Sequence, residues 1–295
     1  MLDKIMAVYM TVVTVLGSLL GFGGYSTDYE VFTDVVYSDA SERNVLDLYV
    51  PKAAYDRAEN GFVLLLHGGS WSMGNKEDKA ADCIEIAAKG YIAATMSFTL
   101  RSGKTEDSYS MDAVLDEIGL AIAKVRDFAA QKGLNITKVA LSGYSSGAHL
   151  AMMYSYARVK ESPVEIAFTA NRVGPSDFST EAWGRMGPTL ARSLAGKEIV
   201  EQFTAQGRAD EIVAYVSPVT YVTKDSVPSL FGYGALDVVV PAGNRKSILN
   251  AFKAAGAPYD FVFYPASGHG LKLNHITPAA RKYTATLFRY CETYF

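Results

Sequence analysis

Residues 143–147, Gly-Tyr-Ser-Ser-Gly, have the Gly-x-Ser-x-Gly spacing that places a serine on a sharp turn between a strand and a helix. An apolar run at residues 139–141 precedes this motif, and a helix-like stretch at residues 148–153 follows it. Glycines relieve the crowding of the backbone in such a turn, and the central serine, Ser145, is held toward solvent. The motif therefore predicts either a turn that only packs a helix on a strand or a nucleophilic serine.

A serine hydroxyl is a weak nucleophile at neutral pH, so the second interpretation requires a base and a group that orients the base. His269 lies in the stretch Ser-Gly-His-Gly, residues 267–270, and Asp237 ends the stretch Gly-Ala-Leu-Asp, residues 234–237. Proteins that carry a nucleophilic serine on such a strand-to-helix turn have their catalytic residues in the order serine, aspartate, histidine along the chain. We therefore predict that Ser145 is a nucleophile, His269 its base and Asp237 the acid that orients the base.

Acyl transfer also needs hydrogen-bond donors for the negative charge that develops on the carbonyl oxygen. The amide of Ser146 lies at the amino end of the helix after the turn, where free N–H groups and the helix dipole favour negative charge. The loop of residues 68–70, within the stretch His-Gly-Gly-Ser-Trp, offers a second set of amides. Together these two segments predict an oxyanion hole.

The other three histidines are not assigned to the chemistry. His149 follows Ser145 by one helical turn and is predicted to bond to neighbouring loops, whereas His67 is predicted to brace its own loop. His275 is near His269 in the sequence but lacks the flanking glycines. Three large side chains could line a substrate pocket, although residue type favours packing for each of them: Trp71, Trp183 and Met186.

Composition excludes several other classes of protein. The chain has 295 residues, of which 49% are hydrophobic and 20% are charged, so it can bury a large core without disulfides or metals. No dense cluster of lysine and arginine is present, and the net charge is −3, which argues against a nucleic acid partner. Neither the two cysteines nor the histidines have a zinc-like spacing. We therefore predict no metal and no cofactor.

The segments that must position the candidate residues alternate between strand-like and helix-like patterns. This alternation predicts an α/β fold with a mostly parallel central sheet and helices on both faces. The predicted strands cover residues 31–37, 45–50, 62–66, 91–98, 138–141, 166–173, 229–234 and 259–264. The predicted long helices cover residues 111–130, 242–255 and 278–294. Ligands gather at the carboxyl ends of strands in such sheets, and the candidate motifs all follow strands.

Residues 176–227 carry no strand signal and are too numerous for a simple connection. We predict that they form a helical insertion that lies over the carboxyl edge of the sheet. An insertion in this position would form part of the substrate pocket.

Four stretches together resemble the α/β-hydrolase superfamily, in particular its esterase branch related to hormone-sensitive lipase and to bacterial feruloyl and acetyl esterases. They are HGGSW at residues 67–71, GYSSGAHLA at 143–151, YGALDVVVP at 233–241 and SGHG at 267–270. The stretch NVLDLYVP at residues 44–51 is also typical of that branch. The resemblance extends from about Val31 to the C-terminus, and it implies one α/β-hydrolase domain over residues 25–295 with a cap insertion at about 176–227.

The resemblance also implies roles for individual residues. Ser145 is the implied nucleophile, Asp237 the acid and His269 the base. The implied oxyanion-hole amides are those of Gly69, Ser70 and Ser146. The chain departs from the usual pattern at two places, since Ser70 replaces a third glycine and Phe98-Thr99 replaces a Tyr-Arg pair.

The implied function is that of a serine carboxylester hydrolase that cleaves small or medium esters, carrying short acyl groups or sugar-linked acetyl or feruloyl groups, through an acyl-enzyme on Ser145. An arylformamidase or a peptidase would use the same three residues on a different bond. Some proteins keep this fold as a non-catalytic binding module, usually after losing one of the three residues, and this chain retains all of them.

The N-terminal segment, residues 1–24, is not part of the family pattern. Residues 5–22 carry no charge, a length at the lower limit for a membrane-spanning helix and slightly long for the core of a signal peptide. The segment is interpreted as a signal peptide, a membrane anchor or a helix that packs on the domain. Its uncharged length favours export or tethering to a membrane over a cytoplasmic location.

Overall fold

The computed structural model describes residues 26–101, 109–271 and 277–295. Eight strands in these residues form one sheet in the order β1-β2-β4-β3-β5-β6-β7-β8. The strands are β1 (Tyr29–Val36), β2 (Val45–Pro51), β3 (Asn60–Leu66), β4 (Ile92–Met96), β5 (Ile136–Tyr144), β6 (Glu165–Arg172), β7 (Ser229–Gly234) and β8 (Tyr259–Tyr264). The pairings of β2 with β1 and β4 are antiparallel, and the others are parallel. The prediction of a mostly parallel sheet is confirmed.

Helices cover both faces of this sheet. They are α1 (Ala80–Ala88), α2 (Met111–Gln131), α3 (Ser146–Ala157), α4 (Thr180–Trp183), α5 (Met186–Ala195), α6 (Lys197–Ala205), α7 (Ile212–Tyr215), α8 (Ala242–Ala255) and α9 (Pro278–Tyr294). Every residue of β3 is buried, and its side chains alternate between two clusters. Leu64 packs in the cluster that contains α2, whereas Val63 and Leu65 pack in the cluster that contains α1 and α9.

Local sequence explains where the long helices begin. Ser110 accepts a hydrogen bond from the amide of Ala113 at the start of α2, and Thr277 caps α9 in the same way, with Pro278 at the first helical position. Strand β5 is longer than the predicted run of residues 138–141, because the polar residues at its end still pair through their backbones with β3 and β6. This extension carries the chain directly into the Gly-x-Ser-x-Gly motif.

Residues 176–227 form the helices α4 to α7 with short 3₁₀ turns and contain no strand. Phe178, Leu194 and Val216 from this insertion are buried in the same hydrophobic cluster as α2. The insertion is therefore packed against the domain through apolar side chains.

The apolar segment at residues 1–24 lies outside the described residues, so its three interpretations stay predictions. His275 lies outside them as well. Across the described residues, no helix combines the length and hydropathy needed to cross a membrane.

Candidate active site

Ser145 occupies the turn between β5 and α3 with φ 53° and ψ −121°, a conformation that residues other than glycine rarely adopt. Such strain costs on the order of 1–3 kcal/mol and persists only where the surroundings enforce it. The Ser145 amide donates to the Arg172 carbonyl at 2.9 Å, and the Ser145 carbonyl accepts from the His149 amide at 3.0 Å. Bonds on both sides of the turn therefore hold the serine in place.

The two flanking glycines are needed because a side chain at either position would clash with neighbouring backbone atoms. A Cβ atom at Gly143 would lie 2.3 Å from the carbonyl carbon of Gly147, and one at Gly147 would lie 2.3 Å from the carbonyl oxygen of Leu66. Any side chain at either position would push the helix away from the strand. The glycines thus let α3 start close enough to β3 to bring Ser145 against the loop that follows β3.

The imidazole of His269 connects the other two candidate residues. Its Nε2 atom lies 2.9 Å from Ser145 Oγ, and its Nδ1 atom lies 2.9 Å from Asp237 Oδ2. The second carboxylate oxygen, Oδ1, accepts the amides of Val239 and Val240, both at 2.9 Å. Because an ionised carboxylate only accepts, Nδ1 of a neutral ring carries the proton and Nε2 presents its lone pair to the hydroxyl. The three residues predicted from motif order are brought together with the geometry of a base between a nucleophile and an acid.

The three residues differ in the fraction of their surface that is exposed. The side chain of Asp237 is 4% exposed and that of His269 is 19% exposed. Ser145 is 8% exposed as a residue. The carboxylate is therefore shielded from water, while part of the imidazole remains accessible to solvent.

Tyr144 contacts the histidine, although no motif in the sequence marks it for a role. Its hydroxyl donates to the His269 carbonyl, and its ring meets the imidazole edge to face at 5.8 Å between centroids. Burial raises the pKa of Tyr144 to about 12, so the hydroxyl stays protonated as a donor at neutral pH. The residue that precedes the serine in the Gly-x-Ser-x-Gly motif thus holds the loop that carries His269.

A partly buried network of ion pairs lies beside Tyr144. The Lys79 ammonium is 5.0 Å from the centroid of the Tyr144 ring, and it also pairs with Asp82 at 3.1 Å. Arg172, whose carbonyl accepts from Ser145, pairs with the same carboxylate at 2.7 Å. Burial raises the pKa of Asp82, but the charges of Arg172 and Lys79 outweigh it and hold the pKa below its usual range. The network keeps Asp82 ionised beneath the turn.

We expect Tyr144→Phe to lower kcat about threefold to tenfold, the equivalent of one net hydrogen bond, because the His269 loop loses its anchor while the ring remains. Steady-state hydrolysis of p-nitrophenyl acetate measures the change. Tyr156→Phe is the matched control, since it removes a buried hydroxyl bond to Ser229 at 2.9 Å on the far part of α3. Equal kcat values for the two variants would show that the Tyr144 hydroxyl does not position the base.

The loop after β3 has an unusual backbone. Gly69, Ser70 and Trp71 have φ values of 120°, 54° and 60°. The left-handed conformation at Ser70 explains in physical terms why a glycine suits this position. A Cβ atom at Gly68 would lie 3.4 Å from the Cβ atom of Ser145, so the loop runs directly beside the candidate nucleophile.

The backbone amides that are candidates for the oxyanion hole are free to donate to a ligand, as far as the described residues show. Within the described residues, no acceptor takes the amides of Gly69, Ser70 or Ser146, whereas the Gly69 carbonyl accepts from the amides of Ser72 and Met73 at 3.0 Å. Ser146 is the first residue of α3, where N–H groups have no partner within the helix. The assignment of these amides to an oxyanion hole stays a proposal.

His149 and His67 have the structural contacts that the sequence predicted for them. His149 lies between the Trp71 indole at 3.1 Å and the Val216 carbonyl at 2.8 Å, and burial lowers its pKa to about 4. His67 approaches the Gly68 carbonyl at 2.7 Å through Nδ1, and its ring stacks on Phe98 at 4.2 Å. Both rings are fully buried.

The three large side chains of the sequence analysis divide into two groups. Trp71 is buried, and Trp183 stacks on Phe178 with centroids 5.2 Å apart, so both pack. Met186 is 69% exposed, so it is not part of the buried core. No group of three or more histidine, cysteine or acidic side chains in the described part of the chain could hold a metal ion.

We expect the free energy of unfolding to fall as the pH decreases from about 6.5 to about 4, by up to about 3 kcal/mol. In this window the unfolded chain binds a proton at His149 and the native chain does not, because burial lowers the native pKa. His67 also lowers the free energy of unfolding as the pH falls, since burial lowers its native pKa as well. Asp82 contributes at lower pH, because its native pKa lies below that of an unfolded carboxyl. Urea denaturation at about pH 7 and about pH 4.5 measures the effect.

His149→Gln is the control for the acid effect. This variant lacks the titrating ring, so its unfolding midpoint should change less between the two pH values than that of the wild type. Equal changes in the two proteins would assign the acid sensitivity to other groups.

Comparisons with known proteins identify relatives of the chain. The BD-FAE family model matches residues 46–252. Esterase LipC of Mycobacterium tuberculosis is 22% identical over 222 residues, which cover 72% of this chain and 53% of that protein. The chain therefore spans about half the length of this curated relative.

Solved structures resemble the chain over nearly its whole length. A truncated carbohydrate esterase from gut microbiota has a TM-score of 0.68 at 20% identity, covering 92% of this chain and 100% of the other. Esterase B of Lactobacillus rhamnosis, in a form inhibited with a tributyrin phosphonate, has a TM-score of 0.70 at 20% identity, covering 99% and 94%. At this identity the likeness establishes the fold, and the predicted α/β-hydrolase fold is confirmed.

Proposed function

Since the chain belongs to the BD-FAE family, we propose that it is a serine carboxylester hydrolase that works through an acyl-enzyme on Ser145. The observation that carries the proposal is the position of the His269 imidazole, 2.9 Å from both Ser145 Oγ and Asp237 Oδ2. This geometry supports the transfer of the serine proton to the ring as the hydroxyl attacks a carbonyl.

The proposed reaction has two halves. Ser145 Oγ attacks the ester carbonyl carbon while its proton passes to Nε2 of His269, and Asp237 stabilises the imidazolium that results. The tetrahedral intermediate collapses, the alcohol leaves with the proton from Nε2, and the acyl group stays on Ser145. A water molecule then gives a proton to Nε2 and attacks the acyl carbonyl. The bond from the acyl carbon to Ser145 Oγ breaks, Oγ takes the proton back from Nε2, and the acid is released.

The oxyanion in both halves would be held by the amides of Gly69, Ser70 and Ser146. Their lack of an acceptor within the described residues supports this role. Fixed donors cost no reorganisation at the moment of reaction, and removal of one such donor typically costs about 10²–10³-fold in kcat. The strained loop beside Ser145 would thus be part of the catalytic machinery.

The proposed substrates are small or medium esters, with short acyl groups or sugar-linked acetyl or feruloyl groups. The modest size of the insertion supports a small substrate, because its helices α4 to α7 are short. The likeness to a carbohydrate esterase supports a sugar-linked ester.

A panel of substrates tests the bond and the acyl length together. We expect kcat/KM for p-nitrophenyl esters to be highest for short acyl chains and to decline as the chain lengthens. N-formylkynurenine, peptide p-nitroanilides and acetylated xylan oligosaccharides extend the panel. Preference for the formamide or for the anilides would identify an arylformamidase or a peptidase, and no turnover of any of them would support a binding module.

A further inference from the structure

The imidazole of His149 joins three separate parts of the chain. The ring belongs to α3, its Nδ1 atom lies 3.1 Å from Trp71 Nε1, and its Nε2 atom lies 2.8 Å from the carbonyl oxygen of Val216. Trp71 belongs to the loop after β3, and Val216 directly follows α7 in the insertion. One fully buried side chain therefore touches the nucleophile helix, the candidate oxyanion loop and the insertion.

The partners fix which nitrogen carries the proton. A carbonyl oxygen only accepts, so Nε2 donates to Val216, and an indole N–H only donates, so Nδ1 accepts from Trp71. A neutral ring satisfies both bonds with one proton. The lowered pKa of His149, caused by burial, agrees with a ring that stays neutral at physiological pH.

Aromatic packing holds the ring in this orientation. Trp71 and Phe178 both meet the imidazole edge to face, with centroids 5.4 Å and 5.1 Å away. Phe178, like Val216, comes from the insertion, and it also contacts Trp71 at 6.1 Å. The rings and the carbonyl that contact His149 are uncharged, so the two hydrogen bonds are the polar links of this cluster.

The loop needs such a support. Gly69 can adopt many conformations, and Ser70 and Trp71 have positive φ values that side chains disfavour. At the other end, the His149 amide is bonded to the carbonyl of Ser145. A rigid turn of helix therefore connects the nucleophile to the ring that holds the loop.

We propose that His149 is a positioning residue that holds the amides of the loop at residues 68–70 at a fixed distance from Ser145 Oγ and couples that distance to the seating of the insertion. The inference rests on the proposed function, because the loop matters as the oxyanion hole of the same site. A histidine with only a structural role would stabilise the fold. Its loss would not change the free energy of the reaction's transition state relative to that of the enzyme–substrate complex.

Two substitutions at this position separate the contribution of the bonds from that of the volume. His149→Gln keeps one acceptor and one donor at similar reach, whereas His149→Leu removes both. We expect His149→Leu to lower kcat for p-nitrophenyl acetate about 10-fold to 100-fold with little change in KM, and we expect His149→Gln to retain most of the activity. Affinity for a trifluoromethyl ketone should fall in parallel with kcat/KM, because such a ligand forms an oxyanion on the enzyme.

Trp71→Phe tests the other end of the link. It removes the indole donor and keeps an aromatic ring, so we expect it to lower kcat through the same loop. The double variant Trp71→Phe with His149→Leu should be about as slow as the slower single variant, since both break one connection. Tyr156→Phe is the control, because it removes a buried hydrogen bond from the same helix, remote from the loop.

Amide hydrogen exchange gives a readout that does not depend on turnover. We expect faster exchange in residues 67–74 of His149→Leu than in the wild type, with exchange in β5 unchanged. If His149→Leu lowers only the melting temperature, with wild-type kcat and unchanged exchange in the loop, the proposal is overturned. If the wild type shows no esterase activity, the proposed function fails, and the exchange experiment still decides whether His149 positions the loop.

Discussion

Replacing Ser145 with alanine is expected to lower kcat for p-nitrophenyl acetate by about 10⁶-fold, because it removes the hydroxyl that lies 2.9 Å from Nε2 of His269. The acyl-enzyme route would be lost entirely. A residual rate about 10³–10⁴-fold above that in water would remain from binding and from the oxyanion donors. Alanine keeps the Cβ atom and the same strained turn, so we expect an almost unchanged melting temperature.

The matched control for this variant is Ser155→Ala. Ser155 is a buried serine on the same helix, and its hydroxyl has no hydrogen-bond partner in the described residues. We expect wild-type kcat for this control. If Ser145→Ala retained more than a small percentage of the activity while Ser155→Ala retained all of it, a residue other than Ser145 would be the nucleophile.

Replacing His269 with glutamine is expected to lower kcat by a factor approaching that of Ser145→Ala. Glutamine can hydrogen-bond to Asp237 and Ser145, but it cannot take up the hydroxyl proton and return it to the leaving alcohol. The double variant should be no slower than Ser145→Ala alone, because residues that act as a unit have strongly non-additive effects. Pre-steady-state acylation with p-nitrophenyl acetate measures the loss in the first half-reaction directly.

His275→Gln is the control for the histidine variant, since it is the one other histidine near this motif in the sequence. We expect it to keep wild-type acylation and deacylation rates. Comparable losses in His269→Gln and His275→Gln, or a minor loss in His269→Gln alone, would contradict the assignment of the base.

The sheet and the order of the motifs could be predicted because both depend on short, local sequence patterns. The continuous apolar run of β3 is typical of a strand that is covered on both faces, and every residue of β3 is buried. Strands β7 and β8 have the bounds that were predicted for them. The parallel arrangement then places the segments after β5, β7 and β8 at one edge. Short motifs such as those of Ser145 and His269 become informative once their order along these strands is known.

Contacts between distant segments could not be predicted in the same way. The bond from His149 to Val216 joins residues 67 positions apart, and the bond from Tyr144 to His269 joins residues 125 positions apart. Neither pair has a spacing or a composition that marks it. The bounds of helix α1 could not be predicted because the helix is only nine residues long and follows a 3₁₀ turn in a polar stretch.

Peptide mapping by mass spectrometry, after the folded protein reacts with a fluorophosphonate, directly tests whether Ser145 is the nucleophile. We expect one covalent adduct on the hydroxyl at position 145, absent from the alanine variant and formed far more slowly when glutamine replaces His269. An adduct on a different residue, or an unmodified protein that still hydrolyses p-nitrophenyl acetate, would contradict this assignment.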